Sequence, residues 1–462
     1  MFIFFSSNYL IKPNSKYIVL SLIIFISLLG FAQENKRPNI VLIMADDLGF
    51  ECINSYGGTS YETPFLSKLA ASGMQFENCH AQPICTPSRV KLMTGKSNKK
   101  NHVKFGFLDP KEKTFSQALK KDGYATMVAG KWQLNGAEAK LSGYQDLSRP
   151  NHFGFDEFIL WQVSTSGRDS TGRDKRYVNP RVNINGKVYE KNEGRYSTDM
   201  MVNYINDFME RKKNQSFLVY YPMILTHCPF DPTPQSNDWD PNDMGSKSYK
   251  GNAKYFGDMV SYVDFSIGRI VKKLDELGLR ENTIILFTGD NGTDKPIVSM
   301  MDNIPVVGGK GSTTDNGTHV PLIVNWKGVI KPNSKSEAMV DLSDFFPTLC
   351  DLAGITPNSS FDLDGVSFYP QLTGKEGPTR KWIHTWYNRD GGSNPLSTTS
   401  EWVRNSTYKL YVGNRFYNVK KDPQEKKNIP FNEMTPLEKN IRKEFIGALQ
   451  TYSNLRNIKN SI

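Results

Sequence analysis

Two acidic pairs stand out by where they fall. Asp46-Asp47 closes the apolar run "NIVLIMADD", and Asp290-Asn291 closes a second, "NTIILFTGDNG". Two carboxylates from one segment, with a carboxylate and an amide oxygen from another, make a hard-oxygen site suited to Ca2+ or Mg2+. Each pair alone also has a purely structural reading: Asp-Asp as a helix cap, Asp-Asn-Gly as an ordinary turn. Their joint placement, each straight after an apolar run, favours metal binding. A third run, "FLVYYPMIL", delivers Thr226-His227. Lys131 follows a fourth in "AGKWQLNG", and Lys310 sits in the glycine-rich "VGGKGSTTDNG". That loop lacks the G-x-x-x-x-G-K-S/T spacing of a phosphate-cradling loop, and lone loop lysines are commonly just solvated. With Arg89 and His227, however, the two lysines could neutralise a tetrahedral oxyanion beside a divalent metal. Finally, "ICTPSRVKLMTG" sets Cys85 two residues before Pro87 and four before Arg89. The segment reads as the start of a helix, whose amides suit an anion.

These residues need a frame that brings distant segments together. "NIVLIMADD", "YATMVAG", "SFLVYYPMI", "NTIILFTGDNG" and "PLIVNW" are short, continuous apolar runs, as expected of strands buried on both faces. Between them lie helical patterns, "PFLSKLAASG", a helix from about Thr114 stopped by Gly123, "DMVSYVDFSIGRIVKKLDELG" and "DLSDFFPTLCDLAG". The alternation predicts an α/β fold with one large, mostly parallel mixed sheet sandwiched by helices. In such sheets ligands sit beyond the carboxyl ends of the strands, where the polar residues above fall. Past about Gly354 the texture changes. "TYKLYVGNRFYNVKKDP" reads as two strands around a turn, and "TPLEKNIRKEFIGALQTYSNL" as an amphipathic helix opened by Thr435-Pro436. This predicts a smaller C-terminal α+β subdomain with a short antiparallel sheet and a terminal helix. The polar segment Ser164 to Asp199 reads as an excursion from the sheet, around the mouth of the site.

The chain has 462 residues and a formal net charge of +10. A basic balance favours anionic partners, but the lysines are spread along the chain, so a polyanionic substrate fits better than nucleic acid. Lys12 and Lys16 precede the apolar run "YIVLSLIIFISLLGF", and Gly30-Phe31-Ala32 offers a cleavage point before Gln33. That order predicts a signal peptide over residues 1–32, a catalytic domain over 33–360 and the C-terminal subdomain over 361–462. The expected location is exported, periplasmic or secreted, with no stable membrane insertion after cleavage. Five cysteines (52, 79, 85, 228 and 350) are an odd number with no staple-like spacing, so at least one thiol stays unpaired; Cys85 is taken as that one.

The whole set resembles the type I sulfatases, within the alkaline phosphatase superfamily. C-T-P-S-R matches their C-x-P-x-R signature, and "RPNIVLIMADDLG", "GYATMVAGKWQL", "LTHCPF", "FTGDNG", "GGKGSTTDNGTHVP" and "FYNVKKDPQEKKNI" follow in the family's order from about Arg37 onward. The resemblance implies that Cys85 is converted by a formylglycine-generating enzyme to 3-oxoalanine (Cα-formylglycine). Its hydrated aldehyde would attack sulfur with one hydroxyl and expel sulfate with the other. It implies one Ca2+ on Asp46, Asp47, Asp290, Asn291 and the modified Cys85, with Arg89 steadying the diol. It further implies sulfate binding by Lys131 and Lys310, His227 near the leaving-group oxygen, and Asp290 as an acid for the departing alcohol.

Two positions depart from the family pattern. Gln133 stands where G-K-W-H would put a histidine that takes a proton as sulfate leaves, and a glutamine cannot accept one at neutral pH. His227, His102 or another group would then serve. His319 in "TTDNGTHVP" lies near the place of an arginine in the family's Glu-Gly-Gly-x-Arg pattern; it reads as a substrate contact or as a buried structural histidine. The expected substrate is a sulfated carbohydrate, a polysaccharide or its oligosaccharides, such as the marine algal glycans ulvan or carrageenan. Trp161, Trp382, His384 and Trp386 are candidates for a sugar subsite, and Arg168, Arg173 and Arg176 for further acidic groups. The plainer reading makes "KWIHTWY" an alternating core strand and the arginines part of a solvated loop. Two rival functions share these motifs: a phosphodiester or phosphonate monoester hydrolase of the same superfamily, and an inactive glycan-binding relative.

Overall fold

The computed structural model describes residues 37–165, 168–391, 399–453 and 455. The expected signal peptide lies outside the described residues. From Pro38 onward the chain forms one compact unit. Among the described residues no helix is long and apolar enough to cross a membrane.

The strands in chain order are β1 (Asn39–Ala45), β2 (Met74–His80), β3 (Ala125–Lys131), β4 (Glu157–Trp161), β5 (Val182–Ile184), β6 (Lys187–Tyr189), β7 (Phe217–Pro222) and β8 (Thr283–Gly289). They continue with β9 (Val298–Met301), β10 (Ile304–Val307), β11 (His319–Trp326), β12 (Ser334–Asp341), β13 (Ile383–Tyr387), β14 (Ser400–Arg404), β15 (Tyr408–Tyr411) and β16 (Phe416–Asn418). Ten of them form one sheet in the order β12-β2-β11-β8-β1-β7-β3-β4-β5-β6. β11 runs antiparallel to both of its neighbours, as does β5, while β8, β1, β7, β3 and β4 are parallel. The sheet is therefore mixed and mostly parallel, as expected.

β1 shows why its sequence is apolar throughout. Val41, Ile43 and Ala45 enter one core while Ile40, Leu42 and Met44 enter the other, the two-residue period of a strand covered on both faces. The principal helices are α1 (Pro64–Ala71), α2 (Cys85–Thr94), α3 (Phe115–Lys121), α4 (Ser197–Arg211), α5 (Phe256–Glu276), α6 (Phe345–Leu352) and α7 (Pro436–Ser453). α1, α4 and α5 supply the first core; α2, α3 and α6 supply the second. α2 is buried along its whole length. It stops at Gly95, whose φ of 66° is the left-handed conformation that ends helices.

β13 to β16 form a separate four-stranded antiparallel sheet. Val403, Leu410 and Phe416 pack there against Phe445 and Ala448 of α7. The segment Ser164 to Asp199 is less of an excursion than its polarity suggests, because its middle adds β5 and β6 to the sheet edge. β2 and β12 were not legible either. "MQFENCH" and "SKSEAMVD" carry polar residues at partly exposed positions, and β12 is an edge strand.

Candidate active site

Register places the acidic pairs. Ala45, the last residue of β1, pairs with Gly289, the last residue of β8, so Asp46 and Asp290 leave the sheet side by side. Asp290 N–H donates to Ala45 O at 3.0 Å, and Asp47 N–H to Asp290 Oδ1 at 3.1 Å. Asn291 Nδ2 donates to Asp47 Oδ1 at 2.8 Å. All four side chains are fully buried.

Three cations meet them. Lys131, the last residue of β3, lies 2.7 Å from Asp46 Oδ2. Arg89 of α2 reaches Asp290 Oδ2 at 3.2 Å and Asp46 Oδ2 at 3.6 Å, and donates to Lys131 O at 2.9 Å. Lys310, past β10, lies 2.6 Å from Asp47 Oδ2. The route of β3 here depends on Gly130. Its φ is 122°, and a Cβ there would stand 1.9 Å from Pro222 O of β7, so only glycine lets β3 close on β7 and deliver Lys131.

The donor set fits a hard divalent cation. Asp46 Oδ1 and Asn291 Oδ1 are buried with no hydrogen-bond partner, and buried polar atoms are rarely left so. Ligand atoms of Asp46, Cys85 and Asp290 lie within 4.8 Å of one another, as do those of Asp46, Asp47 and His227. Burial opposes ionisation of Asp46, but Lys131 and Arg89 outweigh it and hold the carboxyl below its usual value. Burial, reinforced by the Asp46 charge, pushes Asp290 well above the usual carboxylate range. Burial likewise raises Asp47, although Lys310 opposes it. Three crowded carboxylates of which two resist ionisation are what a divalent charge relieves.

Cys85, the first residue of α2, is 2% exposed. Burial raises its thiol pKa despite Lys131. Its Sγ faces Gln133 Oε1 at 3.8 Å, and the Gln133 amide donates to Glu138 at 3.3 Å. Gln133 has a φ of 50°, which turns the chain just past β3. His227, past β7, has Nε2 3.8 Å from Asp47 Oδ2. Burial, then Lys310, Lys131 and Arg176, hold its imidazole well below the usual value.

The structure thus brings together Cys85, Arg89, Lys131, Gln133, His227, Lys310 and the four acidic-pair residues. Other candidates sit in packing contacts. His319, the first residue of β11, stacks on Phe50 at 4.0 Å and lies 4.9 Å from His80; burial pushes it down to about 4. His384 of β13 bonds Glu401 at 2.8 Å and stacks on Tyr452 at 3.7 Å. Trp386 is buried, and Trp382 packs against the small sheet's core. Arg168 is exposed, and Arg173 donates to Gly245 O. His102 Nε2 lies 3.1 Å from Arg389 O. Arg176, expected in a solvated loop or at the mouth, is instead buried between Trp161 and His227.

A family model described as Sulfatase matches residues 38–355. The chain belongs to the sulfatase family. It is a type I sulfatase of the alkaline phosphatase superfamily, and a sulfatase by activity. A second model, for the N-sulphoglucosamine sulphohydrolase C-terminal region, matches residues 310–451. The sulfatase is similar to the human N-acetylgalactosamine-6-sulfatase, 29% identical over 74% of this chain and 67% of the relative. It is similar also to the N-acetylgalactosamine-6-O-sulfatase of Bacteroides thetaiotaomicron, 27% identical over 86% and 90% of the two chains. The solved structure of Ps i-CgsB shares the fold, with a TM-score of 0.73 at 23% identity over 91% of this chain and 94% of that one.

One feature of this sulfatase was not legible in the sequence: the small sheet holds the loop that carries Lys310. Lys409 of β15 donates to Thr313 O, and its ammonium pairs with Glu425 at 2.7 Å. The Tyr411 hydroxyl lies 2.8 Å from Thr313 Oγ1 and 2.6 Å from Glu425 Oε2. From the other side, Gly311 N–H donates to Pro83 O at 2.8 Å, two residues before Cys85. Lys409→Met is expected to loosen this loop and lower kcat/KM by up to about 10²-fold, the scale of a 1 Å misplacement, with Tyr411→Phe milder. Steady-state kinetics on folded variants checks it; wild-type rates in both would remove the clamp.

Proposed function

We propose that this sulfatase removes sulfate from a sulfated carbohydrate, a polysaccharide or its oligosaccharides, using Cys85 converted to formylglycine and one Ca2+. The observation that carries the reading is the convergence of Cys85, Arg89 and Lys131 on Asp46 and Asp290 at adjacent strand ends. The carbohydrate substrate rests on the N-acetylgalactosamine sulfatases among its relatives and on the net charge of +10. Asp46, Asp47, Asp290 and Asn291 would hold the cation. When present, the cation polarises a sulfate oxygen and acidifies a hydroxyl of the aldehyde hydrate, which offers one hydroxyl to attack and one for release.

The chain's own residues do the rest. Lys131 and Lys310 neutralise the sulfate oxygens, each already held by a carboxylate, Asp46 and Asp47 respectively. Arg89 is anchored on Lys131 O and Asp290, so it presents a fixed donor fork beside Cys85. Burial excludes competing water and strengthens each of these interactions. Because Cys85 is 2% exposed, its maturation enzyme must meet the segment before the domain closes, and export follows as the reading of residues 1–32. The packing contacts of His319 and His384 support a structural role for both, and the approach of Gln133 to Cys85 supports a role beside the nucleophile.

The test is sulfate release by the matured protein from a panel of sulfated oligosaccharides, with an aryl sulfate and an aryl phosphodiester alongside. Release from at least one glycan and preference for the sulfate are expected. A clear preference for the diester would assign phosphoryl transfer, and an intact thiol at Cys85 after production with the maturing enzyme would assign an inactive relative. Gln133→His, which supplies a group able to accept a proton, is expected to keep or raise kcat. Its total loss would show that the amide has its own indispensable contact with substrate.

A further inference from the structure

Arg176 is built into the site in a way its place in a polar segment does not suggest. It is 6% exposed, and its guanidinium is held by Asp174 through Nε to Oδ1 and Nη2 to Oδ2, both at 3.0 Å. Its central carbon lies over the Trp161 ring, 4.6 Å from the centroid, within reach of a cation–π attraction. The remaining nitrogen, Nη1, lies 2.5 Å from His227 Nδ1 and donates also to Cys228 O. His227 is fixed from its backbone as well, since its N–H donates to Ile224 O and the Tyr177 hydroxyl donates to its carbonyl.

We infer that Arg176 is a positioning residue that sets the tautomer of His227, so that the ring is neutral and carries its hydrogen on Nε2. A guanidinium has no acceptor and does not deprotonate in proteins. The His227 nitrogen that faces Nη1 therefore presents a lone pair, which places the ring hydrogen on Nε2. That nitrogen faces the reaction site, 3.8 Å from Asp47 Oδ2. Nδ1 also lies 2.6 Å from Cys228 O, the acceptor to which an Nδ1–H would donate. The carbonyl has room for both donors, but an Nδ1–H would set its hydrogen against the Nη1–H 2.5 Å away, so Arg176 disfavours that tautomer. Resting on the sulfatase reading above, the consequence is that His227 donates a hydrogen bond from Nε2 to the oxygen of the departing alcohol, stabilising it without a proton transfer. Asp174 and Trp161 act one step further back, by holding the guanidinium in plane.

The test is 15N NMR of the metal-loaded, matured protein labelled in its six histidines, with His227→Gln assigning the signals. Wild type is expected to show an unprotonated Nδ1 and a protonated Nε2 at His227. Arg176→Met is expected to reverse them, with Nδ1–H donating to Cys228 O. Arg176→Lys, still purely a donor, is expected to restore the wild-type pattern. In kinetics Arg176→Met should lose about 10- to 100-fold in kcat on a sugar sulfate, far less on an aryl sulfate with a good leaving group, and little in KM. A wild-type spectrum with Nδ1 protonated overturns the inference even if the methionine variant does not fold; so does an unchanged tautomer in a folded Arg176→Met. The spectrum needs no substrate, so absence of sulfate release sinks the functional reading separately.

Discussion

Cys85→Ala is expected to cut sulfate release by on the order of 10⁶-fold, the scale of losing a nucleophile that acts as one unit with its partners. Cys85→Ser sharpens the test. A serine hydroxyl in the same place, beside Lys131, Arg89 and the acidic pairs, can still attack sulfur and expel the alcohol. The sulfated serine then has no second hydroxyl on the same carbon with which to expel sulfate, so the variant should stop after one turnover. Intact-mass spectrometry should find one sulfate per chain on the introduced serine, with one equivalent of alcohol released and no further cycles. Sustained turnover by Cys85→Ser, or wild-type rates in Cys85→Ala, would move the nucleophile elsewhere. The wild-type peptide around residue 85 should in parallel carry an aldehyde instead of a thiol.

The second large effect belongs to the acidic pairs. Asp46→Asn leaves Lys131, 2.7 Å away, and Arg89, 3.6 Å away, facing an amide in a buried site. Breaking a buried charge pair from one side costs about 3–5 kcal/mol, so the variant should melt well below wild type as well as lose activity. The cation gives an independent readout. For wild type, Ca2+ at 100 times its Kd should add about 2.7 kcal/mol to stability, and a chelator should remove it. Asp46→Asn should respond to neither. Thermal melts with and without Ca2+ and chelator check both statements. A wild-type melting temperature indifferent to both additions would take the cation out of the site.

The two sets of residues were legible to different degrees. The acidic pairs announced themselves because a strand buried on both faces must be apolar throughout, so the first charged residues after β1 and β8 mark where the chain leaves the sheet. Gly123 ended its helix where glycine's freedom to adopt positive φ makes a stop cheap. β5 and β6 escaped notice because each is only three residues long, and β12 because it is an edge strand whose first half is partly exposed and polar.

By itself the sequence singled out Cys85, the two acidic pairs, Lys131 and Lys310, and the alternation of strands and helices. Each is a local property: a residue type at the end of an apolar run, or a spacing within a few residues. What only the tertiary structure decided is which residues support these from a distance. Arg176 lies 51 residues before His227 and Lys409 lies 96 after Thr313, and neither sits in a run or spacing that advertises its partner. Their roles arise from burial, since a cation removed from water must be met by acceptors wherever the fold provides them. The same rule turned an arginine expected at the mouth of the site into the neighbour that orients its histidine.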